Sequence, residues 1–156
     1  MQDGVNDLEG VPQLVLRLAE DQRQATLDEA TQIRSLFAQR GLPSHVTERV
    51  RLKHEEHVDE RGEWPSDTTP DDYLESLRLT VTDARSAIYA TFEVELDEWA
   101  IYFVGRVRRE WRGRRSGQRI VVLFRREPQR WITGFQARDG DSYVESQGGY
   151  WMFYPR

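Results

Sequence analysis

The stretches AIYATFEVE (87–95) and WAIYFVGRV (99–107) decide the fold class. Both are rich in β-branched and aromatic residues, and the helical hydrophobic period of the preceding sequence gives way here to alternation. RIVVLFR (119–125) and RWITGFQA (130–137) continue the same pattern, which predicts four strands. The connections between them are short enough for antiparallel neighbours. A last apolar piece, GGYWMFY (148–154), predicts an edge strand.

Helix signals precede the strands. Ser44 and Thr69 are capping residues, and Pro70 stands at a first helical position. The predicted helices run between Pro12 and Gly41, over roughly 44–62 and over roughly 70–79. Helices followed by a meander of strands predict an α+β fold, with N-terminal helices and an antiparallel four- to five-stranded sheet. We divide the chain into a leader with an acidic helix (1–42) and an α+β domain (43–156).

Composition narrows the function classes. The chain has no cysteine, which excludes disulfides and thiolate metal sites. It shows no signal peptide and no apolar run of the ~20 residues that a membrane helix needs, so we expect a soluble protein of the cytoplasm. Residues 1–100 carry 22 acidic against 10 basic residues, whereas 101–156 carry 5 acidic residues against 12 arginines. This asymmetry indicates an anionic ligand for the C-terminal part and a partner, or self-complementation, for the N-terminal part.

The segment KHEEHVDERGEW (53–64) contains two of the three histidines. His54 and His57 are three residues apart and so adjoin on a helix, but the zinc-protease spacing HExxH is absent and no third ligand is evident. We therefore predict no metal. Two interpretations stay open: a polar helix face, or a general acid or base, since histidine titrates near neutrality.

Arginines cluster between the second and third predicted strands. Seven of the fourteen residues from Arg106 to Arg119 are arginine. The cluster predicts a phosphate-binding ribbon, with Trp111 and Trp131 available for base stacking, although a solvated loop tip has the same composition. Alternation places Thr133 on one strand face with Trp131 and Phe135.

In this order the features resemble the barnase–EndoU–colicin–RelE group of ribonucleases, in particular its phage- and toxin-associated branches, over roughly residues 45–138. The helical motif His-hydrophobic-x-x-Arg is matched by His57-Val58-Asp59-Glu60-Arg61, and the late-strand hydroxyl by Thr133-Gly134-Phe135. Gly62 stands where many members have a second histidine, a position that His54 would have to replace.

The resemblance implies a metal-independent ribonuclease, a toxin or phage-associated nuclease of the host or target-cell cytoplasm, that needs no cofactor. His57 would be the base or acid, with His54 as its candidate partner, and Thr133 would bind a nonbridging oxygen. Arg61, Arg106, Arg119 and Trp131 would contact the substrate. The alternatives are a non-catalytic module that binds RNA or an acidic partner, and an interaction protein of the immunity type. An acidic immunity or antitoxin protein is a further expected partner.

Overall fold

The computed structural model describes residues 13–39, 44–93, 96–126, 129–146 and 150–153. Within these ranges three α-helices come first and a sheet follows, so the α+β prediction is confirmed. The helices are α1 (Gln13–Ala38), α2 (Ser44–His54), a π-helical segment (Glu55–Glu60) that continues α2, and α3 (Pro70–Thr82). None of these helices has the length and apolar content needed to cross a lipid bilayer.

The sheet has five strands in the order β4-β3-β2-β1-β5, and all neighbours are antiparallel. Their bounds are β1 (Ala87–Glu93), β2 (Glu98–Arg106), β3 (Arg119–Arg126), β4 (Gln129–Ala137) and β5 (Tyr150–Phe153). The predicted C-terminal edge strand is β5, which pairs with β1. A short helix that the sequence pattern did not predict, α4 (Gly140–Ser146), connects β4 to β5. In the strand order, β4 has β3 as its only neighbour and forms the other edge of the sheet.

The start of α3 shows why the sequence folds as it does locally. The hydroxyl of Thr69 accepts the backbone N–H of Asp72, and the Asp72 carboxylate accepts the backbone N–H of Thr69. Pro70 follows at the first helical position, where its missing N–H costs nothing. This capping box fixes the beginning of α3 at the residue that the sequence predicts.

The main core lies between the helices and one face of the sheet. Phe124 on β3 packs edge-on against Phe37 of α1 at 5.3 Å and against Phe103 of β2 at 5.8 Å between ring centroids. Tyr73 and Leu77 of α3 are fully buried on the same side. The opposite sheet face carries a smaller apolar cluster beneath α4, with Val144 at its centre and Tyr89, Tyr102, Val104 and Val121 around it.

A β-bulge changes which residues share a face of β4. The pairing between β3 and β4 shifts between Leu123 and Phe124, so that Trp131 pairs with Phe124 while Thr133 pairs with Leu123. Trp131 therefore joins the helix-side core, and Phe135 packs against the opposite cluster. The prediction that Trp131, Thr133 and Phe135 share one face is wrong, because the extra residue of a bulge interrupts strict alternation.

Candidate functional site

His57 lies in the π-helical segment, against the outer edge of β4. Its Nδ1 is 3.1 Å from Oε1 of Glu63, and its Nε2 is 3.3 Å from Oγ1 of Thr133. The imidazole is also roughly parallel to the ring of Phe135, at 6.1 Å between centroids. His57 is only 3% exposed. The structure thus brings together His57 and Thr133, which the sequence analysis placed in one site.

Glu63 sets the orientation and the tautomer of His57. A carboxylate only accepts hydrogen bonds, so Nδ1 of His57 carries the proton and the lone pair of Nε2 faces the hydroxyl of Thr133. Glu63 is buried as well and accepts the backbone N–H of Gln136 at 2.9 Å. A hydroxyl, an imidazole and a carboxylate in this order have the arrangement of a general base that is held by a carboxylate.

Glu56 and Arg61 stand at the solvent side of His57. Oε2 of Glu56 is 3.7 Å from Nε2 of His57 and 3.3 Å from Nη2 of Arg61. Burial by itself would raise the pKa of Glu56, but the interactions of its carboxylate with His57, Lys53 and Arg61 together outweigh burial and hold that pKa below its ordinary value. Arg61, a predicted substrate contact, is exposed and paired with this carboxylate.

His54 takes part in a different contact. Its Nε2 is 2.6 Å from the carbonyl oxygen of Thr68, to which it donates, and its ring meets Tyr73 edge-on at 6.2 Å. These contacts tie the end of α2 to the loop before α3. The described contacts of His54 are thus with Thr68 and Tyr73 rather than with the imidazole of His57. That His54 replaces the second histidine stays a prediction.

Gly62 departs from the ribonuclease pattern for a backbone reason. Its φ is +67°, in the left-handed region that glycine occupies without strain. A Cβ at this position would lie 3.0 Å from Nη2 of Arg114, and the carbonyl oxygen of Gly62 accepts the N–H of Arg115 at 2.9 Å. A histidine here would therefore be strained and would displace an arginine of the neighbouring loop.

The edge of β4 is held by side chains of the helical layer. Tyr73 donates its hydroxyl hydrogen to the carbonyl oxygen of Gly134 at 2.5 Å, and Arg49 donates to the carbonyl oxygen of Ile132 at 3.3 Å. Glu63 accepts the N–H of Gln136 on the same edge. Burial raises the pKa of Tyr73 well above its ordinary value, and the nearby carboxylate of Glu63 adds to this rise. His57 thus belongs to a buried polar seam between helices and sheet.

Four arginines from different parts of the chain line an open cleft of about 440 Å³. Arg106 ends β2, Arg119 begins β3 directly opposite it in the sheet, Arg112 lies in the loop between them, and Arg138 follows β4. The full lining is Arg106, Val107, Arg112, Ser116, Gly117, Gln118, Arg119 and Arg138. Among the described residues, Arg106, Arg112 and Arg138 have no ion-pair partner, and Arg119 lies 3.6 Å from Asp141.

The arginine loop (residues 107–118) is fixed by backbone hydrogen bonds. Gly113 donates to the carbonyl oxygen of Glu63 at 3.2 Å, and Gln118 donates to that of Ala137 at 3.1 Å. Inside the loop, the side chain of the buried Gln136 accepts the N–H of Gly117 and donates to the carbonyl oxygen of Trp111. Gly113 is required here, because a Cβ would come within 2.3 Å of the Trp64 carbonyl oxygen. The loop is thus a preformed platform for its arginines.

The two tryptophans predicted to stack with bases both make contacts within the protein. Trp131 is 4% exposed and packs in the helix-side core. Trp111 is half-buried, and the guanidinium of Arg108 lies over its ring at 5.0 Å. Trp131 therefore offers no ring face to a base, and one face of Trp111 is already covered by Arg108.

No family model, curated protein or solved structure matches the chain. The relation to the ribonuclease group therefore stays a prediction from the motifs of the sequence.

The predicted site residues fall into two groups. His57 and Thr133 meet in the buried seam, with Glu63 as the residue that sequence reasoning missed. Arg106 and Arg119 meet in the cleft, with Arg112 and Arg138 as their additional partners. Neither residue of the first pair is among those that line the cleft. Gln136 connects the groups, since its backbone contacts Glu63 while its side chain holds the arginine loop.

Proposed function

We propose that this protein binds RNA, and that the arginine cleft receives the phosphodiester backbone. The observation that carries the proposal is the convergence of four arginines from separate chain segments on one cleft. Like charges repel, so such a cluster lowers stability unless an anion fills it. A guanidinium presents a planar pair of N–H donors that matches the oxygens of a phosphate.

The position of α1 agrees with this proposal. Glu29 of α1 pairs with Arg126 at 2.8 Å, at the end of β3. Arg119 begins the same strand, and at ~3.3 Å per residue the two arginines are roughly 23 Å apart. This ion pair of α1 with the sheet thus lies at the end of β3 opposite the cleft, and Arg106 in the cleft is exposed.

The test is the salt dependence of RNA binding. Fluorescence anisotropy with a labelled single-stranded RNA is measured from low to physiological salt, for the unmodified protein and for Arg106→Ala/Arg119→Ala. We expect the double variant to bind about tenfold more weakly and with a smaller salt slope, because fewer counterions are released. Arg23→Ala, an exposed arginine of α1, is the matched control. Equal losses in the control and the cleft variant would contradict the proposal.

RNA cleavage without a metal is the second candidate, and it is favoured by the hydroxyl, imidazole and carboxylate of Thr133, His57 and Glu63. In this reaction Nε2 of His57 takes the proton of a ribose 2′-hydroxyl, the 2′-oxygen attacks phosphorus, and the bond to the 5′-oxygen breaks. Water protonates the leaving oxygen. The products are a 2′,3′-cyclic phosphate and a 5′-hydroxyl end.

The cleavage test uses total RNA and tRNA in EDTA, with product ends analysed. His57→Ala is compared with His54→Ala, which changes the neighbouring histidine outside the seam. Cleavage that is lost in the first variant and kept in the second supports catalysis by His57. Absence of cleavage in the unmodified protein leaves the binding proposal as the function.

A further inference from the structure

A second cavity of about 530 Å³ adjoins the arginine cleft, and the two share Arg112 in their linings. Pro65, Gly62 and Gly113 form its floor, and the side chains of Val58 and Trp64 lie buried beneath them. Arg114, Asp59 and Ser66 complete the lining together with Arg112. The first space is thus lined by four arginines, and the second by two arginines, one carboxylate and small or apolar residues.

The boundary between the cavities is held by backbone hydrogen bonds. Gly113 forms part of it, and its N–H donates to the carbonyl oxygen of Glu63, while Arg115 donates to that of Gly62. These two bonds join the arginine loop to the segment after the π-helical turn. Since neither cavity requires a rearrangement of this backbone, a ligand can occupy both without ordering a loop first.

We infer that the two cavities together hold a single strand of RNA, with a phosphate in the arginine cleft and an unstacked base in the second cavity. This inference rests on the proposed function and names its ligand. The ring of Pro65 and the guanidinium planes of Arg112 and Arg114 suit the face of a base, while the carboxylate of Asp59 and the hydroxyl of Ser66 can pair with polar groups of its edge. In a duplex the bases are stacked and paired inside the helix, so none reaches the cavity.

The distribution of charge selects RNA over an acidic protein as the occupant. A polyanion of acidic side chains would be attracted by the arginines of both cavities, but in the second cavity its carboxylates would also lie beside the carboxylate of Asp59 and would leave the ring of Pro65 uncovered. A nucleotide combines one anionic group with one flat, largely apolar ring, which is the combination that the two spaces offer.

The first experiment compares ligands on the unmodified protein. A labelled single strand of ~10 nucleotides is measured by anisotropy against the same sequence paired into a duplex. Competition with polyglutamate and with inorganic polyphosphate is measured at equal charge. We expect the single strand to bind about tenfold more tightly than the duplex and both competitors to displace it poorly. Equal affinity for the duplex, or displacement by polyglutamate as effective as by RNA, would overturn the inference.

The second experiment fills the second cavity. Ser66 is exposed, so Ser66→Leu adds bulk to the cavity without disturbing the core. We expect this variant to bind the single strand about fivefold more weakly and polyphosphate unchanged, because only the base is excluded. Arg112→Ala should weaken both ligands. Unchanged binding of the single strand to Ser66→Leu would refute the base site while the RNA proposal stands, whereas failure of every RNA to bind would refute the proposed function itself.

Discussion

The buried seam around His57 and the arginine cleft are both groups of polar side chains, and they are organised in opposite ways. In the seam each charged or polar group has a partner: His57 has Glu63 and Thr133, and Glu63 has Gln136 as well. In the cleft three of the four arginines have no partner among the described residues. Satisfied buried groups stabilise a fold, and unsatisfied charges at an open surface are available to a ligand. The four predictions that follow test this contrast.

Removing Glu63 should have the largest effect, on stability. Glu63→Ala leaves Nδ1 of His57 and the N–H of Gln136 without an acceptor in a buried place, which we expect to cost about 3 kcal/mol of unfolding free energy. Chemical denaturation of the variant and of the unmodified protein measures this difference in unfolding free energy. Glu60→Ala, on the exposed side of the same segment, is the control and should cost little. If the two variants are equally stable, the seam contributes nothing to the fold.

Gly62→His tests why this position departs from the ribonuclease pattern. The left-handed backbone and the contact with Arg114 should cost the variant about 1–2 kcal/mol of unfolding free energy. Gly62→Asn is the matched variant, because asparagine tolerates this conformation better. Thermal unfolding of both variants gives the comparison. A histidine variant as stable as the asparagine variant, with new RNA cleavage, would instead support a lost second histidine.

The stability of the variant Tyr73→Phe at alkaline pH tests the contribution of the seam. Burial raises the pKa of Tyr73 in the folded protein, so above pH 10 the unfolded chain binds fewer protons than the folded protein does. The free energy of unfolding therefore falls as pH rises, by about 1.4 kcal/mol per pH unit for each such tyrosine. At pH 7 the Tyr73→Phe variant should have an unfolding free energy about 1 kcal/mol lower, because the hydrogen bond to the carbonyl oxygen of Gly134 is lost. Above pH 10 its unfolding free energy should fall less steeply with pH than that of the unmodified protein.

Tyr102, whose pKa burial raises to about 12, also contributes to this decline, and Tyr102→Phe is the comparison variant. Denaturant midpoints between pH 8 and pH 11 measure both. An unchanged slope in Tyr73→Phe would show that Tyr73 ionises freely in the folded protein.

Neutralising one cleft arginine should have the smallest effect and the opposite sign. Arg112→Ala relieves repulsion in the cleft, and without RNA we expect a gain of about 0.5 kcal/mol in unfolding free energy at low salt. The gain should shrink as salt rises, since salt screens exposed charges. Arg51→Ala, which removes an arginine paired with Glu48, should give no gain. A loss of stability in Arg112→Ala would mean that the cleft is already satisfied without a ligand.

Local signals predicted the elements well. Alternation along 119–125 and 130–137 located β3 and β4 to within one residue at either end, and the Thr69 cap placed the start of α3. Arg106 and Arg119 flank one loop between antiparallel strands, so their proximity follows from the predicted pairing. These features depend on neighbours in sequence or on a single hairpin.

Which residues meet in the two sites depends on contacts between segments that are far apart in the sequence, and a local sequence pattern does not predict such contacts. The bulge opposite Leu123 and Phe124 moved Trp131 to the other face of β4. Glu63 lies near His57 in sequence, but it is also held by the N–H of Gln136 on β4, 73 residues later in the chain. Arg138 enters the cleft through the pairing of Ala137 with Arg119. For such residues the sequence shows which chemical group the side chain has, but not which residue it contacts in the fold.

The side chains along β4 have a consequence for assembly. An uncovered edge strand offers a ladder of backbone donors and acceptors to which another chain can add, which leads to aggregation. Arg49, Tyr73 and Glu63 each occupy one backbone group of that ladder, at the alternate residues Ile132, Gly134 and Gln136. The residues that hold the helices on the sheet thereby also block intermolecular strand addition, so loss of the seam would expose a surface for self-association.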